Sequence, residues 1–172
     1  MKKYEYPFLA KLFYRYANIP ATILLSIHLI SSLLLIGEQW IFILPALINT
    51  GVIYILNRFY YKIYKYFPFE ISLDNETMVC SDFMYGQRKI EIKLSNIDNI
   101  EGGVFTGHMT KPIYIHDKTQ NITLGFYQHI KDYNQFITTI LSNINKKLYN
   151  RLLDEMKSRG DKKRSGKNKK AR

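Results

Sequence analysis

Two stretches of the chain carry no charged residue. Residues 19–36 read IPATILLSIHLISSLLLI and residues 40–56 read WIFILPALINTGVIYIL. Each is close to the length a helix needs to cross a hydrocarbon core of roughly 30 Å. Gly37, Glu38 and Gln39 separate them, with Trp40 at the border. A helix packed on a soluble core would show a polar face; these runs hold only scattered Ser, Thr, His and Asn. The pattern predicts a transmembrane helical hairpin over 19–58. The first run starts after eighteen residues and no small-x-small site follows it, which argues against a cleaved signal peptide.

From Phe69 the period changes. FEISL (69–73), TMVCSDF (77–83), RKIEIKL (88–94), IDNIEGGVF (97–105), PIYIH (112–116) and NITLGF (121–126) are short runs bounded by turn residues. They read as six strands. The fourth is broken or bulged at Gly102-Gly103, and Asp74-Asn75-Glu76 turns between the first two. Then Ile130, Tyr133, Phe136, Ile137, Ile140, Leu141, Ile144 and Leu148 recur at helical spacing. One helix is expected to run to about Met156 and stop at Gly160. The fold class is thus a membrane α+β protein: a two-helix hairpin, then an antiparallel β domain (69–156) capped by an amphipathic helix.

Charge orients this arrangement. Lys2, Lys3, Lys11 and Arg15 precede the first run, Arg58, Lys62 and Lys65 follow the second, and the loop has only Glu38. The positive-inside rule then puts both termini and the β domain in the cytoplasm, with a bacterial inner membrane as the expected location. The aromatic residues of the N-terminal segment (1–18) and of 59–68 suit headgroup depth. Trp40, Arg58, Tyr60, Tyr61, Lys62, Tyr64 and Lys65 are the expected interfacial anchors, and Pro68 ends the second helix. Residues 69–156 hold nine basic and eleven acidic side chains, whereas 157–172 (KSRGDKKRSGKNKKAR) hold nine basic and one acidic. That tail cannot bury a core and is expected to be disordered in isolation. Lys162, Lys163, Arg164, Lys167, Lys169, Lys170 and Arg172 are its candidate contacts to ribosomal RNA or anionic lipid.

Counted outward from the loop, His28 and Asn49 fall at about the same depth. They predict an interhelical hydrogen bond or a contact to a partner helix, with a proton relay as the weaker alternative. Ser26, Ser31 and Ser32 allow close helix packing. Outside the hairpin no catalytic, cofactor or metal constellation is legible. His108, His116 and His129 lack the close pairing of zinc sites. Cys80, the one cysteine, reads as a buried strand residue. Gly102, Gly103 and Gly107 are not followed by a GK[ST] phosphate loop. No enzyme activity and no cofactor are expected.

A membrane hairpin, meandering strands, KPIYIHDKTQNITLGF and a closing helix like NQFITTILSNI together resemble the bacterial pleckstrin-homology-like membrane proteins. The resemblance covers about residues 15–148 and is one of pattern. It implies a seven-stranded fold, one strand more than the six legible here. The acidic turn 74–76, taken as the first strand–strand loop, argues against phosphoinositide binding, which needs Lys or Arg there. The expectation is a non-enzymatic accessory, scaffold or assembly subunit of a larger membrane complex, using sheet edges and the groove beside the helix for protein contact. The alternative is a ribosome- or translocon-associated factor acting through the basic tail.

Overall fold

The computed structural model describes residues 1–84, 88–106 and 111–170, with side chains as far as Ser158. His108, most of the turn at 84–87 and the loop at 106–111, the side chains of Lys162, Lys163, Arg164, Lys167, Lys169 and Lys170, and all of Arg172 lie outside the described residues. The chain divides into two compact units, residues 8–65 and residues 1–7 with 66–172.

The first unit is helical. Helix α1 (Phe8–Tyr16) leads through Ala17 into α2 (Asn18–Leu35). A single 3-10 turn at Trp40–Phe42 opens α3 (Ile43–Tyr66), which stops two residues before Pro68. Phe8–Leu35 and Trp40–Tyr66 are long and apolar enough to cross a membrane, with a mean hydropathy of 1.7 each, and only 11% of either apolar window is buried. Small side chains mark where α2 and α3 approach: Ser32, Ala46 and Asn49 are buried. Ser31 and most of the large aliphatic residues face outward.

The second unit is an α+β domain with two antiparallel sheets. One has the order β1 (Lys2–Glu5), β2 (Glu70–Leu73), β3 (Thr77–Ser81), β4 (Ile90–Lys93). The other has the order β5 (Ile97–Gly102), β6 (Ile113–Asp117), β7 (Ile122–Phe126). The expected alternation is visible in β4, where Ile92 is buried and Glu91 and Lys93 are exposed. Strand β5 carries a bulge between Ile97 and Asn99 and ends where Gly102 and Gly103 take positive φ.

Strand β1 was not foreseen, because residues 1–18 read as a basic and aromatic segment without a strand. KKYE pairs with β2 from Lys2↔Leu73 to Glu5↔Glu70. Lys3 and Glu5 point out while Tyr4 points in, 2% exposed, its ring edge-on to Phe136 at 5.4 Å. Lys3 sits between Glu70 and Glu5, which hold its ammonium above the usual lysine range. Beyond the strand, Glu5 carbonyl accepts from Lys131 N–H at 3.0 Å, and Tyr6 hydroxyl accepts from Tyr127 N–H at 2.9 Å. The described residues therefore hold seven strands, and Asp74–Glu76 joins the second and third. The connection between the first two is the helical segment of residues 8–66, so the acidic turn is not the first strand–strand loop that the sequence suggested.

At that turn the Asp74 carboxylate accepts from the backbone N–H groups of Thr77 (2.7 Å) and Glu76 (2.9 Å) and from Thr77 hydroxyl. These bonds favour the charged form and hold its pKa below the ordinary carboxylate value. A depressed folded pKa contributes stability above the unfolded value, about 3.9, that is lost as pH falls through the folded value. Asp74→Ala should therefore cost a constant amount of stability above about pH 5, and the gap should close in more acid solution. Urea unfolding of both proteins from pH 6 down to pH 2.5 measures it; a gap that does not shrink would remove the turn's charge from the account.

The C-terminal part also differs from the single helix expected. Helix α4 (Tyr133–Asn143) ends with Ile144 in extended conformation, and α5 (Lys146–Lys170) begins after Asn145. Asn145 Oδ1 accepts from Lys147 N–H at 2.9 Å, as a helix-capping side chain does. The apolar face carries on across the break, with Ile140, Ile144, Leu148 and Leu152 all buried. Phe136 of α4 joins the two sheets, touching Tyr4 of β1 and Phe126 of β7 at 5.4 Å each. The helical backbone then runs through Gly160 to Lys170, where the sequence predicted first a stop and then disorder. Lys and Arg are good helix formers, and a helix already nucleated at Lys146 needs only one further hydrogen bond per added residue.

Candidate functional site

The polar residues of the helical unit converge on two levels. At the deeper one, Asn49 Nδ2 lies 2.6 Å from His28 Nδ1. An amide nitrogen can only donate, so Nδ1 is the acceptor and the neutral ring carries its proton on Nε2. Asn49 is 7% exposed, whereas His28 sits on the exposed side of α2. Nε2 has no partner among the described residues. Ser32 hydroxyl donates to His28 carbonyl at 2.8 Å, inside its own helix.

The second level was missed by the sequence reading. Tyr64 hydroxyl donates to Asn18 Oδ1 at 2.6 Å, and Asn18 Nδ2 donates to Asn57 Oδ1 at 3.2 Å. Asn57 Nδ2 donates in turn to Thr22 Oγ1 at 3.0 Å and to Ile53 carbonyl at 2.9 Å. The depth count about Glu38 that sets residue 28 opposite residue 48 sets residue 18 opposite residue 58, one position from Asn57, so a signal was present in the sequence. The chain of amides and hydroxyls satisfies itself, which makes it a clasp between the helices.

This clasp divides the residues read as interfacial anchors. Tyr60 and Tyr64 are buried against the N-terminal helical segment: Tyr60 hydroxyl donates to Phe13 carbonyl at 3.3 Å, and Arg15 carbonyl, 2.9 Å from Tyr64 hydroxyl, shares that hydroxyl's one proton with Asn18. Trp40 (81% exposed), Tyr61, Arg58, Lys62 and Lys65 face outward. Arg58 donates to Tyr54 hydroxyl at 2.9 Å.

In the β domain, Cys80 is fully buried in β3, and burial pushes its thiol well above the ordinary range, which keeps it protonated and inert. His116 Nδ1 lies 3.0 Å from Thr123 hydroxyl, a cross-strand pair. Asp117 is buried completely. Its Oδ1 accepts from Thr119 and Gln120 N–H groups at 2.7 and 3.0 Å to form the β6–β7 turn, while Oδ2 has no partner among the described residues. No group of three metal-ligating side chains occurs among the described residues.

No protein-family model, curated protein or solved structure matches this chain. The side chains brought together here are those of interhelical contact: one hydrogen-bonded pair open on its outer side and one closed clasp.

Proposed function

We propose that this chain is a non-enzymatic accessory or scaffold subunit of a larger membrane assembly. Its hairpin lies in the bilayer, and its pleckstrin-homology-like domain faces the cytoplasm for protein contact. The observation that carries the reading is His28. Asn49 fixes its tautomer so that the Nε2–H donor stands on the outer surface of the hairpin, midway along an uncharged helix. In hydrocarbon an unsatisfied donor costs several kcal/mol. A neighbouring transmembrane helix with an acceptor at that depth removes the cost.

Three further features support the membrane topology and the fold. The apolar faces of both long helices point outward, as they do in lipid. Because β1 and β2 are neighbours in one sheet and bracket the hairpin, both of its flanks must lie on one side of any membrane it crosses. The lysines and arginines of those flanks support the cytoplasm as that side. The seven strands among the described residues, followed by helix, agree in number with what the pleckstrin-homology resemblance implies.

His28→Leu tests the reading. An interhelical hydrogen bond in a membrane is worth about 0.6 and at most about 1.7 kcal/mol. Recovery of partner proteins after mild detergent extraction should thus fall about 3- to 18-fold. His28→Gln keeps a donor and should retain them. Unchanged recovery with His28→Leu would take the transmembrane contact out of the proposal.

A further inference from the structure

We infer that the turn end of the β domain, together with helix α5, is a binding surface for the phosphate backbone of RNA. A groove of about 710 Å³ opens there between the start of β5, the β6–β7 turn and the α4–α5 elbow. Lys118 reaches it from the turn, Lys147 and Arg151 from the first turns of α5. Ser95, Thr119 and Asn145 add neutral hydrogen-bonding groups, and Asp98 is the one acidic side chain of the lining.

Three observations select a phosphate-bearing ligand. First, neither Lys118 nor Lys147 has a carboxylate partner among the described residues, although residues 69–156 hold more acidic than basic side chains. Three of the nine cations of an otherwise acidic domain therefore gather in one groove. Second, Arg151 is held in place: Nη2 donates to Asp98 carbonyl at 3.2 Å and to Asn99 Oδ1 at 2.8 Å. Only neutral oxygens are bonded, so the guanidinium keeps its charge uncompensated and its remaining N–H donors available for phosphate oxygens. Third, the helix that supplies Lys147 and Arg151 continues to Lys170 with eleven basic and three acidic residues in all. At 1.5 Å per residue it offers a track of roughly 37 Å, many times the spacing of phosphates along a nucleic acid strand.

The extent of the charge favours RNA over lipid. The groove lies where Leu94 N–H bonds Glu76 carbonyl (2.8 Å) and Lys118 N–H bonds Asn96 carbonyl (3.3 Å), at one end of both sheets. Two of its cations, Lys147 and Arg151, belong to a helix whose basic sequence continues for many residues beyond the groove. A long polyanion, with phosphates repeated along one strand, matches such a series better than a single headgroup does.

The test uses the full chain in neutral-lipid nanodiscs and a fluorescent 20-nucleotide poly(U), with binding read by anisotropy between 50 and 200 mM salt. The expected result is binding that weakens steeply with salt. For Lys118→Gln/Lys147→Gln/Arg151→Gln the slope of log K against log salt should drop by about 2, at about 0.7 for each single-strand phosphate contact removed. Lys118→Gln/Lys147→Gln alone changes two exposed side chains and leaves Arg151 and its bonds in place; a drop of about 1.4 is expected. A chain ending at Ser158 should keep a residual affinity that these substitutions abolish. No binding at 50 mM salt, or a slope unchanged by both sets of substitutions, overturns the inference. So does binding of nanodiscs to phosphatidylglycerol vesicles, or to a poly-glutamate peptide, that the same substitutions abolish while poly(U) binding is untouched.

Discussion

Tyr4→Ala is expected to destabilise the β domain by about 3–5 kcal/mol, the range for truncating a buried large aromatic residue. The side chain is 2% exposed, lies opposite Ile71 across the β1–β2 ladder and meets Phe136 edge-on. Its loss would open a void between the first sheet and α4, at the ring that also touches Phe126 of the second sheet. The effect should extend beyond one residue, because β1 covers the edge of β2. Hydrogen exchange of the β2 amides should accelerate together with the drop in denaturant midpoint. Lys3→Ala, on the exposed face of the same strand, should change little, since its ion pairs are solvent-exposed. An unchanged midpoint for Tyr4→Ala, or for a chain lacking residues 1–5, would mean that the N-terminal strand does not pair in solution.

Gly102→Ala should have the next largest effect. Gly102 ends β5 at φ +88°, outside even the left-handed region that Asn and Asp tolerate. An L-residue there costs about 1–3 kcal/mol in backbone strain alone. A Cβ would also lie 2.0 Å from Pro112 carbonyl oxygen, so the start of β6 would have to move. That position pairs with Ile113, in the register that sets the second sheet. A loss of at least about 2 kcal/mol is expected, with β5–β6 amides losing exchange protection before those of β1–β4. A substitution without effect on the unfolding midpoint would show that the turn can relax into another shape.

Some of the architecture follows from local pattern. Two runs without a charge can only be long apolar helices, and the alternation of Ile90, Ile92 and Leu94 with Lys89, Glu91 and Lys93 can only be a half-buried strand. His28 and Asn49 were legible as a pair because a hairpin folds about its loop, so distance from Glu38 measures depth. The same count places residue 18 opposite residue 58, next to Asn57. It was overlooked because both lie at the ends of the apolar runs, where polar residues draw no notice.

What the sequence determined by itself, then, was the class of each long element: apolar helix, amphipathic strand, amphipathic helix. Those depend on the period of neighbouring residues, which no distant contact has to supply. Tertiary structure alone decided three other things. KKYE became a strand because β2, more than sixty residues away, offers it an edge and Phe136 offers Tyr4 a pocket; four residues carry too little periodic signal to announce this. The helix broke at Ile144 although its apolar face continues unbroken across the gap, because Asn145 caps a new helix that still buries Leu148 and Leu152. Lys118, Lys147 and Arg151 became one basic groove only when the β6–β7 turn and the α4–α5 elbow met at the same end of the sheets. Charge summed along the chain hides such a groove, since like charges gather through folding rather than through adjacency in sequence.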